Sequence, residues 1–409
     1  MEAKPVAEYD TVARAVAIRG QASHVIGAAE YLRRFAQAQE LMHHGRLDAI
    51  LLSSRANVEY FSGFATETWE TPTRPLYVVL PRDAAPVAVI PSGIRQEWGH
   101  SAWIDTLVTW DSPRAGDEGV QELRAVLADL PRRFGRVGLE LGPESRVGMT
   151  VADLRLLERS IASVEIADCS WICRELRIVK SETEIEQVSR ACTAACDAFD
   201  QLPHKILPGD SELDAAREFK VLVHASGADR LPFCAVASGP DGCDRITSPP
   251  TDRRLSAGDV LFIDAGAVVN GYFCDFNRNF AIGQASDLLR RSYEILWLAA
   301  QAGIAAARPG GTAADVFVAQ AGVIADAGYE LPKVGRLGHG VGKLLTEWPS
   351  NSPSDRTVLR PGMILTVEPF LVLDGRVLIH EEDIFVTENG ARLLTRPAGP
   401  DLPVIPWET

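Results

Sequence analysis

Three carboxylates in the second half of this chain sit inside or at the end of runs that otherwise read as buried strands. They are Asp264 closing "VLFID", Glu368 closing "MILTVE" and Glu381 closing "RVLIHE". A buried strand has no place for an ionised carboxylate unless a cation or a set of donors compensates it. Asp275 and His339 add a fourth acid and one imidazole to the same half of the chain. Four carboxylates and a single histidine suit a pair of divalent ions, and the oxygen-rich donor set favours Mn, Fe, Co or Zn over a thiolate site. Taken singly, each residue also has a plain structural reading. Asp264 caps the turn at Ala265-Gly266, Asp275 pairs with Arg278, and His339 satisfies backbone groups in a glycine-rich loop. Glu381-Glu382-Asp383 by itself reads as a solvated acidic edge.

In sequence order, however, these residues form a pattern. "LFIDAGAVVNGYFCDFNR" sets Asp264 and Asp275 eleven positions apart, "GHGVG" carries His339, and "GMILTVEPF" and "EEDIFVTENG" supply Glu368 and Glu381. The chain thereby resembles the pita-bread metallohydrolases, the M24-type family of methionine aminopeptidase, aminopeptidase P, prolidase and creatinase. The resemblance implies that Asp264 chelates one metal, that His339 and Glu368 hold the other, and that Asp275 and Glu381 bridge the two. It implies hydrolysis of an Xaa-Pro amide, in which a hydroxide between the ions attacks the carbonyl and Glu368 takes a proton. Manganese is the first expectation for the metal, with cobalt, zinc and iron as alternatives.

Two family histidines are missing. The one seven positions beyond the ligand histidine is Thr346 here, and the one upstream of the first metal strand is nearest to Thr247. Such imidazoles donate to the developing oxyanion and handle the leaving group's proton. A threonine hydroxyl donates a hydrogen bond but carries no charge. Glu368, Thr247 and Thr346 are therefore the candidate catalytic residues. His380 adjoins Glu381, so in a regular strand it points to the opposite face. His100 and His224 read as surface histidines, and His43-His44 as the end of a helix, where imidazole suits the C-terminal dipole. The glycines 338, 340 and 342 lack a Rossmann context and instead allow close backbone approach. Lys343, where the family motif carries an apolar residue, reads as a solvated lysine.

With 41 basic and 55 acidic residues the formal charge is −14, which disfavours nucleic acid and anionic membranes as partners. A small-molecule or short-peptide substrate and a homodimer are expected. Seven cysteines in no framework spacing read as reduced thiols. No apolar run reaches the roughly 20 residues needed to span a membrane, and charges interrupt the first residues, so the cytoplasm is the expected compartment.

The fold class implied is an α/β N-terminal domain followed by an α+β pita-bread catalytic domain. Residues 1–28 read as an N-terminal extension, 29–172 as a creatinase/prolidase-type N-terminal domain, and 173–409 as the catalytic domain. The first domain shows strands at "LDAILLS", "LYVVLP", "PVAVIP" and "RVGLEL", with helices at "AAEYLRRFAQAQELMHH", "NVEYFSGF" and "GVQELRAVLADL". Trp69, Trp98, Trp103 and Trp110 read as core or interface aromatics. "RELRIVK" reads as a strand entering a turn, after which Ser181 and Glu184 form a capping box. Three further helices and the acid-bearing strands give an antiparallel sheet backed by helices, in two αβ halves folded around the metals. The functional expectation is a dinuclear-metal hydrolase resembling Xaa-Pro dipeptidase or aminopeptidase P. The alternatives are a hydrolase or lyase of a small non-peptide metabolite, and a binding module without turnover.

Overall fold

The computed structural model describes residues 26–161, 163–330 and 335–407. All but the last three residues of the expected N-terminal extension lie outside the described residues. The chain divides into two compact units, Met1–Arg177 and Ile178–Thr409. Among the described residues no helix is long and apolar enough to cross a membrane.

The first unit is built from α1 (Ala28–Gly45), β1 (Ala49–Leu52), α2 (Arg55–Ser62), β2 (Tyr77–Pro81), β3 (Val87–Pro91), α3 (Arg95–Ser101), β4 (Thr106–Trp110), α4 (Val120–Asp129), β5 (Arg136–Leu139), α5 (Val151–Ser160), β6 (Glu165–Asp168) and α6 (Ser170–Ile178). Its six strands form one mixed sheet in the order β4-β3-β2-β1-β5-β6, with β1 antiparallel to β2 and parallel to β5. The central strand β1 is "AILL", buried at all four positions. A continuous apolar run of this kind belongs to a sheet covered on both faces. Trp98, Trp103 and Trp110 are buried in this unit, as core residues should be, while Trp69 is half-buried. Helix α2 starts on the Ser54 side chain and stops at Gly63, whose φ of 76° a glycine adopts without strain.

The second unit begins with α7 (Glu182–Gln201) and α8 (Glu212–Ala225). It continues through β7 (Arg230–Pro240), β8 (Asp259–Val269), β9 (Tyr272–Phe273), β10 (Phe276–Ile282), α9 (Asp287–Ala306) and α10 (Ala313–Asp326). Then come β11 (His339–Gly340), β12 (Glu347–Ser350), β13 (Ile364–Val367), β14 (Phe370–Leu373), β15 (Arg376–Ile379), β16 (Glu382–Thr387), β17 (Gly390–Leu393) and β18 (Val404–Ile405). The antiparallel sheet expected in two halves is two larger sheets and a hairpin. One sheet runs β18-β10-β8-β7, with β9 paired to β8; the other runs β12-β11-β13-β16-β17; β14 and β15 pair alone. Leu289, Tyr293 and Leu296 of helix α9 share one hydrophobic core with Val260 and Phe262 of β8 and with Leu371 and Leu378 of the β14–β15 hairpin. Met363, Leu365, Val367, Ile384 and Val386 form the core beneath the second sheet.

Ser181 accepts from the Glu184 amide and the Glu184 side chain accepts from the Ser181 amide, so the expected capping box opens α7. The segment before it differs from expectation. "RELRI" closes helix α6 rather than forming a strand, and only Val179 makes an isolated antiparallel bridge, to Met363. Ile172, Cys173, Arg177 and Ile178 are all buried, a 3.6-residue repeat that a short window around Val179 conceals.

Candidate metal centre

Strand β8 reads "DVLFIDAGAVV", and Asp264 is its one position that is not fully buried. It lies opposite Asn277 of β10, which places Asp275, just before that strand, at the same end of the sheet. From the second sheet come His339 on β11, Glu368 directly after β13 and Glu381 directly before β16. One ligand atom each of Asp275, His339 and Glu381 lies within 4.8 Å of the others, and all three residues are buried. His339 Nε2 is 3.5 Å from Asp275 Oδ2. On its other side His339 Nδ1 faces the Gly340 carbonyl at 2.9 Å, so a proton on Nδ1 leaves the Nε2 lone pair pointing at the acids. The His339 amide donates to Thr366 Oγ1 at 3.0 Å. Gly338, at φ 128°, has no room for a Cβ beside the Thr366 carbonyl.

Electrostatics connect the remaining two acids to this cluster. Burial, then the charge of Glu368, pushes the Asp264 carboxyl up to about 8. Burial, then Asp264, Asp383 and Glu368, holds Asp275 well above the usual carboxylate range. Glu381 is raised likewise by burial and by Glu368, Asp275 and Asp264, and by a hydrogen bond between the Glu368 and Glu381 carboxyls. Asp264 Oδ1 and Glu381 Oε1 are buried without a hydrogen-bond partner. Acceptor atoms left unpaired among mutually repelling carboxylates are what a divalent cation would satisfy, and an oxygen-rich set with one imidazole fits such a cation. Of the five residues named from the sequence, Asp275, His339 and Glu381 come together directly, and Asp264 and Glu368 stand near enough for their charges to act on that cluster.

The plain structural readings fare differently. Arg278 does not pair with Asp275; its guanidinium bonds Glu382 Oε2 at 2.9 Å. Glu381, Glu382 and Asp383 are not a solvated edge, since each is at most 2% exposed. The acidic triplet looks solvated in sequence because its partners, Arg278, Asn277 and the Asp275 amide, come from more than 100 residues away. Asp383, raised to about 8 chiefly by burial, is the site residue that sequence reasoning passed over. His380 is absent from the cluster of Asp275, His339 and Glu381: it is buried edge-on against Tyr293 with Nε2 3.7 Å from Glu382 Oε1, and burial lowers it to about 4. Lys343 is also buried rather than solvated, with its ammonium 4.8 Å from the centre of the Tyr272 ring. Thr247 is exposed and Thr346 half-buried, and neither side chain hydrogen-bonds any of the five residues. His100 and His224 are exposed, as expected.

The model of metallopeptidase family M24 matches residues 186–389, and that of the creatinase/prolidase N-terminal domain matches residues 34–179. A probable dipeptidase PepE of Mycobacterium tuberculosis is 32% identical over 368 residues, covering 88% of this chain and 93% of that protein. The chain belongs to metallopeptidase family M24. An Xaa-Pro dipeptidase of Pyrococcus horikoshii is 28% identical, over 87% of this chain and 95% of its own. The crystal structure of dipeptidase PepE from Mycobacterium ulcerans matches with a TM-score of 0.80 at 28% identity, over 92% of this chain and 98% of that one. The creatinase/prolidase branch and the two-part fold read from the motifs are thus correct. M24 membership makes the chain a metal-dependent, peptidase-like hydrolase and implies divalent metal ions.

Proposed function

We propose that this M24 protein hydrolyses short peptides of the Xaa-Pro type at a pair of divalent ions, manganese first among them, held by Asp264, Asp275, His339, Glu368 and Glu381. The observation that carries the reading is the convergence of Asp275, His339 and Glu381 ligand atoms within 4.8 Å, beside unpartnered oxygens of Asp264 and Glu381. The names of the Pyrococcus and Mycobacterium relatives supply the substrate class. When bound, such ions polarise a carbonyl and make water a nucleophile near neutral pH. The residues do the rest. Asp275 and Glu381 hold the centre from the two sheets, and His339 offers Nε2 with its ring fixed through Nδ1. Glu368, half-buried at the end of β13, accepts the proton of the attacking water. In sequence, Thr346 takes the place of one family imidazole and Thr247 is the nearest counterpart of the other. Their hydroxyls donate to the oxyanion but do not protonate the leaving amine. Six of the seven unpaired cysteines are buried, which supports a reducing, cytoplasmic setting.

A second reading rests on those two threonines: hydrolysis or elimination on a small non-peptide metabolite that needs no such acid. Turnover of an Xaa-Pro dipeptide panel by protein loaded with Mn, Co, Zn or Fe(II), with metal content measured on the same sample, separates the two. Two ions per chain with cleavage supports the peptidase, at a rate on the order of a hundred- to a thousandfold below relatives with the histidines. Two ions without cleavage favours the metabolite enzyme. No bound metal overturns both.

A further inference from the structure

The two sheets that carry the proposed ligands share no backbone ladder, for β10 lies in one and β16 in the other. At the seam between them side chains bond to backbone instead, and they do so in both directions. From the β10 side, Asn277 Oδ1 accepts the Glu381 amide at 3.1 Å. Arg278 Nη1 donates to the Glu381 carbonyl at 3.0 Å, and Asn279 Nδ2 to the Ile379 carbonyl at 2.7 Å. From the β16 side, Asp383 Oδ2 accepts the Asp275 amide at 2.9 Å and the Cys192 thiol at 3.4 Å.

The arrangement is reciprocal. Asn277, two residues beyond Asp275, holds the amide of Glu381; Asp383, two residues beyond Glu381, holds the amide of Asp275. Each amide is thus held by a side chain from the other segment rather than by its backbone. Both residues are buried, at 1% and 0% exposure, and each keeps a polar atom without a partner, Asn277 Nδ2 and Asp383 Oδ1. Unsatisfied buried atoms cost stability. The pair is therefore a poor device for packing alone and a good one for fixing a distance.

We propose that Asn277 and Asp383 are positioning residues whose reciprocal hydrogen bonds set the spacing between Asp275 and Glu381, and so determine whether the centre holds two ions or one. The proposal rests on the reading that these two carboxylates bridge a metal pair. Orienting partners of metal ligands typically govern affinity by ten- to a hundredfold.

The test compares full-length wild type with Asp383→Ala, Asp383→Asn and Asn277→Leu, the last keeping the branched shape of the side chain without its acceptor. Each is titrated with Mn(II), the bound metal is counted, and the low-temperature EPR spectrum is recorded for spin coupling between paired ions. Thermal midpoints of the chelator-stripped proteins are measured alongside. Wild type should take up two coupled ions. Asp383→Ala and Asn277→Leu should bind the second ion ten- to a hundredfold more weakly and show an uncoupled signal at concentrations that fill both sites in wild type. Asp383→Asn, which keeps an oxygen for the Asp275 amide, should recover the coupled pair. If Asp383→Ala does not fold, Asn277→Leu decides. Coupled pairs of wild-type affinity in Asn277→Leu, or in both variants that lack the acceptor, overturn the lock. A wild type that never holds two ions overturns the underlying reading, and the lock with it.

Discussion

At the scale of single residues, the centre is defined by repulsion. Asp264, with an ordinary value near 4, is pushed to about 8 by burial and then by Glu368, and Asp275 and Glu381 rise with it. A carboxyl raised in the folded state binds its proton more tightly folded than unfolded. Its stabilising effect is full below the unfolded value and is lost as pH rises towards the folded one. Chelator-stripped protein should therefore have a lower urea midpoint at pH 8 than at pH 5, and metal affinity should rise over the same window as the ions displace protons. Equal or greater stability of the stripped protein at pH 8 would contradict this. Asp275→Ala and Glu381→Ala should each lower metal content from two ions to one or none and bring turnover to background; two ions and normal turnover in both would sink the assignment. Asp264, Glu368 and Glu381 were legible in the sequence because a carboxylate stands out in an apolar run, and Asp275 and His339 because they complete the family's pattern. Asp383 was not, because a third acid in a row carries no such contrast until Asp275 is folded against it.

At the scale of elements, the loop into β11 is constrained twice, by its backbone angle and by its neighbour. Gly338 adopts φ 128°, where an L side chain is strained, and a Cβ there would collide with the Thr366 carbonyl. Gly338→Ala should cost roughly 1–3 kcal/mol and displace His339, lowering both the denaturation midpoint and metal occupancy. Unchanged values of both would show that the loop accommodates the methyl group. Strands such as β1 and helices such as α7 were readable because burial at every position, or a capping box, is written in neighbouring residues. Strands β4 and β6 and helix α5 were not picked out. The pattern of β6, "EIAD", has exposed ends and a half-buried middle that no period reports.

For the whole molecule, the seven cysteines bear on the cellular setting. All are unpaired and only Cys234 is half-buried, its thiol raised to about 11 by burial. A thiol reagent should find at most one slowly reacting group in the native protein and seven after denaturation, with no effect of reductant on the thermal midpoint. Fewer than seven in the denatured, unreduced protein would reveal a disulfide and weaken the cytoplasmic assignment.

The sequence alone determined the two-part architecture and the M24 membership and pointed to five candidate ligands, because each is recorded in residue types and their spacings. Tertiary structure decided the rest. It divided the strands of the second unit between two sheets and a hairpin, and it buried Lys343 and the acidic triplet that had read as solvated. It also gave Arg278 to Glu382 rather than Asp275. The physical reason is the same in each case. Whether a charged side chain is solvated or compensated depends on which distant strand is folded against it, and a local pattern does not carry that partner's identity.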